Sequence, residues 1–146
     1  MGLGVVVMAR SLEQEATLLA SLAASSPRVA VDIIGHSTEG RPVRLVRIGD
    51  PGPPAVTDRA AVLHIGAQHG DELAGREALL DWAEHLATTA DSDEVAFLAA
   101  HGVLIIPTAN PDGVAAGTRR TGGGTDLNRD HLALAAPESR AIAAVL

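Results

Sequence analysis

The chain has 146 residues, a net charge of −7 and no cysteine, and 47% of its residues are hydrophobic. That is one domain's worth of chain with enough apolar material for a core, which excludes global disorder. No basic stripe interrupts the acidic balance, so nucleic acid is excluded as a partner, and the missing thiols exclude disulfides, thiolate metal sites and Cys nucleophiles. The apolar content is nearly all Ala, Val, Leu and Ile, with one Trp, one Phe and no Tyr, so a core of modest stability is expected. Residues 2–8 are apolar but short, lack a leading positive region and run into Arg10, unlike a signal peptide. No apolar run approaches a membrane span. A cytoplasmic protein without a membrane partner is therefore the expectation.

In chain order, Ser11 is placed to cap a helix, with Gln14 or Glu15 in its first turn and Leu12, Leu18, Leu19 and Leu22 on one face. Ser25-Ser26-Pro27 ends it. Residues 28–34 are rich in β-branched side chains and predict a strand, residues 35–40 a turn, and residues 43–48 a second strand in a hairpin with the first. A Gly/Pro loop covers residues 49–54. Residues 60–65 are apolar apart from His64 and suit a strand in the middle of a sheet, with His64 packed in the core. A helix is predicted from Glu72 to about Thr89, with Leu73, Leu79, Leu80 and Leu86 as its buried stripe. A shorter helix begins at Ser92 and ends near His101. Residues 103–106 form another buried strand, Asn110-Pro111-Asp112-Gly113 a turn, Gly122-Gly123-Gly124 a hairpin or loop, and Pro137 starts a last helix. A hairpin followed by strand, helix, helix and strand predicts an α/β domain with a mixed parallel/antiparallel sheet flanked by helices. Residues 1–27 form a helical lead-in and residues 28–146 the domain proper.

The loop Gly66-Ala67-Gln68-His69-Gly70-Asp71-Glu72 stands where an apolar strand ends and a helix-like run begins. A His and a Glu three apart at such a turn can direct an imidazole and a carboxylate at one metal ion, and this N/O chemistry suits zinc. The bland alternative is an ordinary helix start, with Asp71 and Glu72 favouring the positive end of the helix dipole. Sites in such sheets gather at the carboxyl ends of strands. His69 follows one such end and Asn110 another. His36, His85 and His101 read as turn or surface residues. Ser37 beside His36 lacks the strand–elbow–helix context of a serine nucleophile, and the Gly122 cluster lacks the Lys-Ser/Thr of a phosphate loop.

Four ordered segments together resemble the zinc carboxypeptidase family, the carboxypeptidase A-like metallopeptidases. Residues 34–43 are similar to the family's G-x-S-x-E-G-R turn, and residues 66–72 to its H-x-x-E zinc motif. Asn110-Pro111-Asp112-Gly113 matches its N-P-D-G turn, and Arg119 with Gly122 to Asp130 resembles its Arg and later D-x-N-R segment. The resemblance runs from about Val29 to the end and covers the first part of the family's catalytic domain. It implies that His69 and Glu72 are zinc ligands, that Arg119 polarises the scissile carbonyl and stabilises the oxyanion, and that Asn128 and Arg129 clamp the substrate's terminal carboxylate. Arg120, adjacent to Arg119, is the alternative for the oxyanion role.

The chemistry is coherent on its own terms. A guanidinium fork matches a carboxylate, zinc polarises a carbonyl and acidifies water, and a second Arg supplies positive charge to a tetrahedral intermediate. The resemblance implies that the family's third zinc ligand, a His on a later strand, and its general-base Glu lie beyond Arg129. An incomplete domain, with a weak or inactive metal site on its own, is therefore expected. His131 takes a position that is commonly aromatic in the family and is a candidate substitute ligand. The expected function is zinc-dependent hydrolysis of a C-terminal peptide bond. The alternatives are a deacylase or amidase acting on acyl-amino acids or cell-wall peptides, and a non-catalytic fragment that binds carboxylate termini.

Overall fold

A computed structural model describes residues 9–49 and 61–146. The readings for the apolar start and for most of the Gly/Pro loop lie outside the described residues. Helix α1 (Leu12–Ser25) begins with the capping box the sequence predicts: Gln14 N–H donates to Ser11 Oγ at 3.1 Å, and Ser11 N–H donates to the Gln14 side chain at 2.8 Å. Strands β1 (Val29–His36) and β2 (Pro42–Ile48) form the expected antiparallel hairpin, with a register irregularity between Ile33 and Gly35. Strand β3 (Ala61–Ile65) is followed by helices α2 (Ala74–Thr88) and α3 (Ser92–Ala100) and by strand β4 (Gly102–Ile106). A short helix α4 (Pro111–Ala116), a 3₁₀ turn (Leu127–Arg129) and helix α5 (Pro137–Ala143) complete the order.

The sheet order is β1-β2-β4-β3, with β4 antiparallel to β2 and parallel to β3. This is the mixed sheet that the succession of elements predicts. Side chains alternate across it with period two. Val46 and Ile48 of β2, with Val103 and Ile105 of β4, pack under Leu19 and Leu22 of α1, Leu80 and Leu86 of α2 and Leu98 of α3. Val43, Leu45 and Ile106 face the other way, against Leu127, Ala136 and Ile142. Each fully buried Leu or Ile contributes about 1.5–3 kcal/mol, so both faces are held without aromatic mass.

Four expectations are corrected. Strand β3 lies at a sheet edge among the described strands, with Val62 52% exposed. Its apolar run packs through one ladder, the parallel one with β4. His64 is half-buried and meets the Trp82 ring edge-on, with centroids 4.9 Å apart. Helix α2 starts at Ala74, so Glu72 sits in the loop before it. The turn expected at Asn110 to Gly113 opens helix α4 instead, because Asn110 Oδ1 accepts the Gly113 N–H at 2.9 Å and Pro111 occupies the first turn.

Helix α1 is locked to α2 by a buried polar cluster. Arg76 and Glu15, 0% and 2% exposed, pair at 2.8 Å, and Arg76 Nε also donates to Thr108 Oγ1 at 2.7 Å. Arg76 further donates to the Arg10 carbonyl and to Glu77. Thr108 lies two residues past the end of β4, so the cluster ties both helices to the strand end that carries Asn110.

Candidate functional site

The parallel pair β3 and β4 ends in a stitched corner. Gly66 N–H donates to the Ile106 carbonyl at 2.8 Å, and Ala109 and Asn110 N–H donate to the carbonyls of Gly66 and Ala67, each at 3.0 Å. Buried Ala67 adopts φ 42°, a left-handed conformation that a non-glycine residue holds only when its surroundings enforce it. This kink turns the chain off the sheet. His69 and Glu72 then fall within one tight turn, closed by a 3.2 Å bond from the Glu72 N–H to the His69 carbonyl. At Gly70 only glycine fits, since a Cβ there would lie 2.0 Å from the Gly113 carbonyl carbon. The H-x-x-E loop and the first turn of α4 thus touch backbone to backbone.

Asn110, fully buried, holds a second loop against the first. Its Nδ2 donates to the Arg119 carbonyl at 3.2 Å and to the Gln68 carbonyl at 3.4 Å. The loop then closes on itself, with Thr121 N–H donating to the Thr125 carbonyl at 3.0 Å and Gly124 at φ 81°. Of the hairpin or loop expected of the glycine cluster, the structure forms a loop closed by a turn, with no strands on either side. It places Arg119 and Asp126 side by side, with Arg119 Nε donating to Asp126 Oδ2 at 3.2 Å.

Four side chains meet here. His69 Nδ1 lies 3.2 Å from Glu72 Oε1, and its Nε2 lies 3.1 Å from Asp126 Oδ1. Arg119 Nη1 lies 3.3 Å from Glu72 Oε1. The imidazole is buried, whereas the Glu72 side chain is 65% exposed and borders a hollow of about 620 Å³. Ile65, Gln68, His69, Asp71, Glu72, Leu73 and Asn128 are among its walls, and its volume suits a small ligand. Partial burial opposes ionisation of Asp126, but its hydrogen bond with His69 and the Arg119 guanidinium outweigh that and hold its pKa below the ordinary aspartate value.

The donors fit part of a zinc shell. Tetrahedral zinc places ligands at ~2.0–2.1 Å, and so roughly 3.3–3.4 Å from one another. His69 Nδ1 and Glu72 Oε1 already stand 3.2 Å apart. The other ring nitrogen engages a carboxylate, the arrangement that fixes the orientation of a metal-binding imidazole. Among the described residues no group of three or more His, Cys, Asp or Glu side chains converges on one point, and Asp126 sits across the ring from Glu72.

Of the residues singled out from sequence, His69, Glu72 and Arg119 come together. Arg120 turns away and donates to the Gly124 carbonyl. Asn128 borders the hollow, and its backbone N–H donates to Asp126 Oδ1 at 3.1 Å. The exposed Arg129 guanidinium folds onto the Asn128 carbonyl at 3.1 Å and is not among the walls of the hollow. His131 meets Gln68 Oε1 at 2.8 Å and does not join the His69–Glu72 pair. Asp126 was missed as a functional group, although its place two residues before Asn128 in the D-x-N-R segment was a readable signal. Asp130, the acid that follows Arg129, is buried and structural: its carboxylate accepts the N–H groups of Ala135 and Ala136 and opens α5. Those bonds hold its pKa below the ordinary aspartate range, the Ala136 bond foremost. Ser37 Oγ donates to Asp112 Oδ1 at 2.6 Å, and Arg41 pairs with the same carboxylate at 2.7 Å. The G-x-S-x-E-G-R turn is therefore docked on α4 and takes no part in the hollow.

A model of the zinc carboxypeptidase family matches residues 16–142. Carboxypeptidase E of Caenorhabditis elegans is 37% identical over 112 residues, covering 66% of this chain and 24% of that protein. Carboxypeptidase SOL1 of Arabidopsis thaliana is 35% identical over 121 residues, covering 75% of this chain and 24% of that protein. The chain thus spans about a quarter of the length of these curated relatives. A metallo-carboxypeptidase of Burkholderia cenocepacia superposes with a TM-score of 0.79 at 27% identity, covering 93% of this chain and 37% of that one. A metallo-carboxypeptidase of Pseudomonas aeruginosa, solved in complex with (2-guanidinoethylmercapto)succinic acid, superposes with a TM-score of 0.70 at 26% identity, covering 93% and 36%.

Proposed function

This chain belongs to the zinc carboxypeptidase family, and on that premise we propose that its hollow takes part in zinc-dependent hydrolysis of the C-terminal peptide bond of a substrate with a free carboxylate. The observation that carries this reading is the 3.2 Å approach of His69 Nδ1 to Glu72 Oε1, with Asp126 on the far side of the ring. His69 and Glu72 would hold the zinc. When bound, zinc supplies Lewis acidity that polarises a carbonyl and makes water reactive near neutral pH.

The chain's own side chains do the rest of the work assigned to them. Asp126 accepts from the His69 ring and keeps Nδ1 directed at Glu72. Arg119, paired with Glu72 and with 44% of its side chain exposed, is able to reach a substrate oxygen as charge builds there. Asn128 presents an amide to the hollow, and Arg129 beside it supplies a fork for the terminal carboxylate once it leaves its own backbone. The succinate ligand of the Pseudomonas aeruginosa relative carries carboxylates of the same chemistry. Catalytic zinc sites take three protein ligands as a rule, and two stand together among the described residues, so these residues alone are proposed to bind zinc weakly and to hydrolyse little.

Calorimetric zinc titration tests the reading. One saturable site is expected in the wild-type chain, lost in both His69→Ala and Glu72→Ala. Heat without saturation, or a site that survives His69→Ala, refutes the metal assignment.

A further inference from the structure

The wall of the hollow beside His69 carries an amide that the proposed reaction leaves unused. Gln68 lies between Ala67, with φ 42°, and the buried His69, and its carbonyl accepts from Asn110 Nδ2 at 3.4 Å. Its side chain therefore springs from an over-determined backbone. Gln68 Oε1 lies 2.8 Å from His131 Nε2, which donates when the ring carries its proton there. The Gln68 amide nitrogen has no hydrogen-bond partner among the described residues, and Gln68 is one of the walls of the hollow.

The other polar walls divide by chemistry. Asp71 and Glu72 only accept when ionised, whereas a peptide or acyl-amino acid presents acyl oxygens that need donors. Asn128 is given to the terminal carboxylate in the proposed reading. We infer that Gln68 is a substrate-binding residue whose side-chain N–H group donates to an acyl carbonyl oxygen of the substrate, and that His131 is the positioning residue that turns the amide that way. The inference rests on the proposed reading that the hollow receives a free carboxylate. It gives His131, at a position the sequence resemblance marks as commonly aromatic, a task other than metal binding.

The test is an NMR titration of the ¹⁵N-labelled 146-residue chain with two probes, free alanine and N-acetyl-alanyl-alanine. Both carry a terminal carboxylate, but only the second carries acyl carbonyls. Gln68→Leu should weaken N-acetyl-alanyl-alanine about five- to tenfold, the scale of one net hydrogen bond, and leave alanine unchanged. His131→Phe should act in the same direction, and His131→Gln, whose amide nitrogen takes the place of the ring Nε2 and keeps a donor for Gln68 Oε1, should retain wild-type binding. Equal losses for both probes, or none in Gln68→Leu, overturn the inference while the carboxylate reading stands. Failure of both probes to bind the wild-type chain overturns both.

Discussion

Replacing Arg76 by Ala removes the fully buried guanidinium that joins α1, α2 and the end of β4. Glu15, 2% exposed, is then left with the Thr108 hydroxyl in place of the 2.8 Å ion pair. The Arg10 carbonyl and Glu77 each lose a donor as well. Breaking one side of a buried ion pair costs about 3–5 kcal/mol, because the surviving charge keeps its desolvation penalty. Against a typical total of about 5–15 kcal/mol, the loss is at least about a fifth of the fold's stability. For a domain of this size the melting temperature should fall by roughly 10–15 °C. Urea denaturation followed by circular dichroism measures the effect, with a shifted midpoint and an unchanged slope. The double variant Arg76→Met with Glu15→Leu removes both charges and should recover most of the loss, giving a coupling energy of about 2 kcal/mol or more. A single-variant cost below about 1 kcal/mol, or a double variant less stable than either single, would show that the cluster does not anchor the helices.

Asp126→Asn should weaken zinc binding by about 10–100-fold while the chain stays folded, since the amide oxygen can still accept from the His69 ring; calorimetry with an unchanged affinity would remove Asp126 from the site. Gly70→Ala forces a Cβ to within 2.0 Å of the Gly113 backbone, so it should cost about 1–3 kcal/mol or more and abolish saturable zinc binding. A well-folded, zinc-binding Gly70→Ala chain contradicts the close approach of the two loops. Burial opposes the charge on Asp112, but the Ser37 hydroxyl, Arg41 and the Glu39 N–H outweigh it, so its pKa is depressed in the fold. Its contribution is therefore full above the unfolded aspartate value of about 3.9 and is lost as pH falls through the lower folded value. Stability of Asp112→Asn should fall less steeply than wild type between about pH 4 and 2; parallel curves would count against that network.

Local order was legible where neighbours in sequence are neighbours in space. The Ser11 cap, the β1–β2 hairpin and the alternation in β2 depend on contacts a few residues apart, or on a period set by backbone geometry. The spacing of His69 and Glu72 is local too, and one turn suffices to bring their donors together. The edge position of β3 was not legible, because an apolar run does not state how many partners flank it. Nor was the helix at Pro111, where the turn-forming composition of Asn110 to Gly113 serves equally well as a helix start.

The sequence by itself determined the family, the mixed sheet and the residue types of the site, since these follow from ordered motifs and from side-chain periodicity. Tertiary structure alone decided which arginine faces the His69–Glu72 pair, for Arg119 and Arg120 are adjacent and chemically identical until the turn at Gly124 directs one toward Glu72 and the other onto a carbonyl. It also decided that Asp126, 57 positions from His69, holds the ring, and that Arg76 finds Glu15 61 positions away. Such pairings are set by how strands and loops pack in three dimensions, and no local pattern in the chain encodes the distance between them.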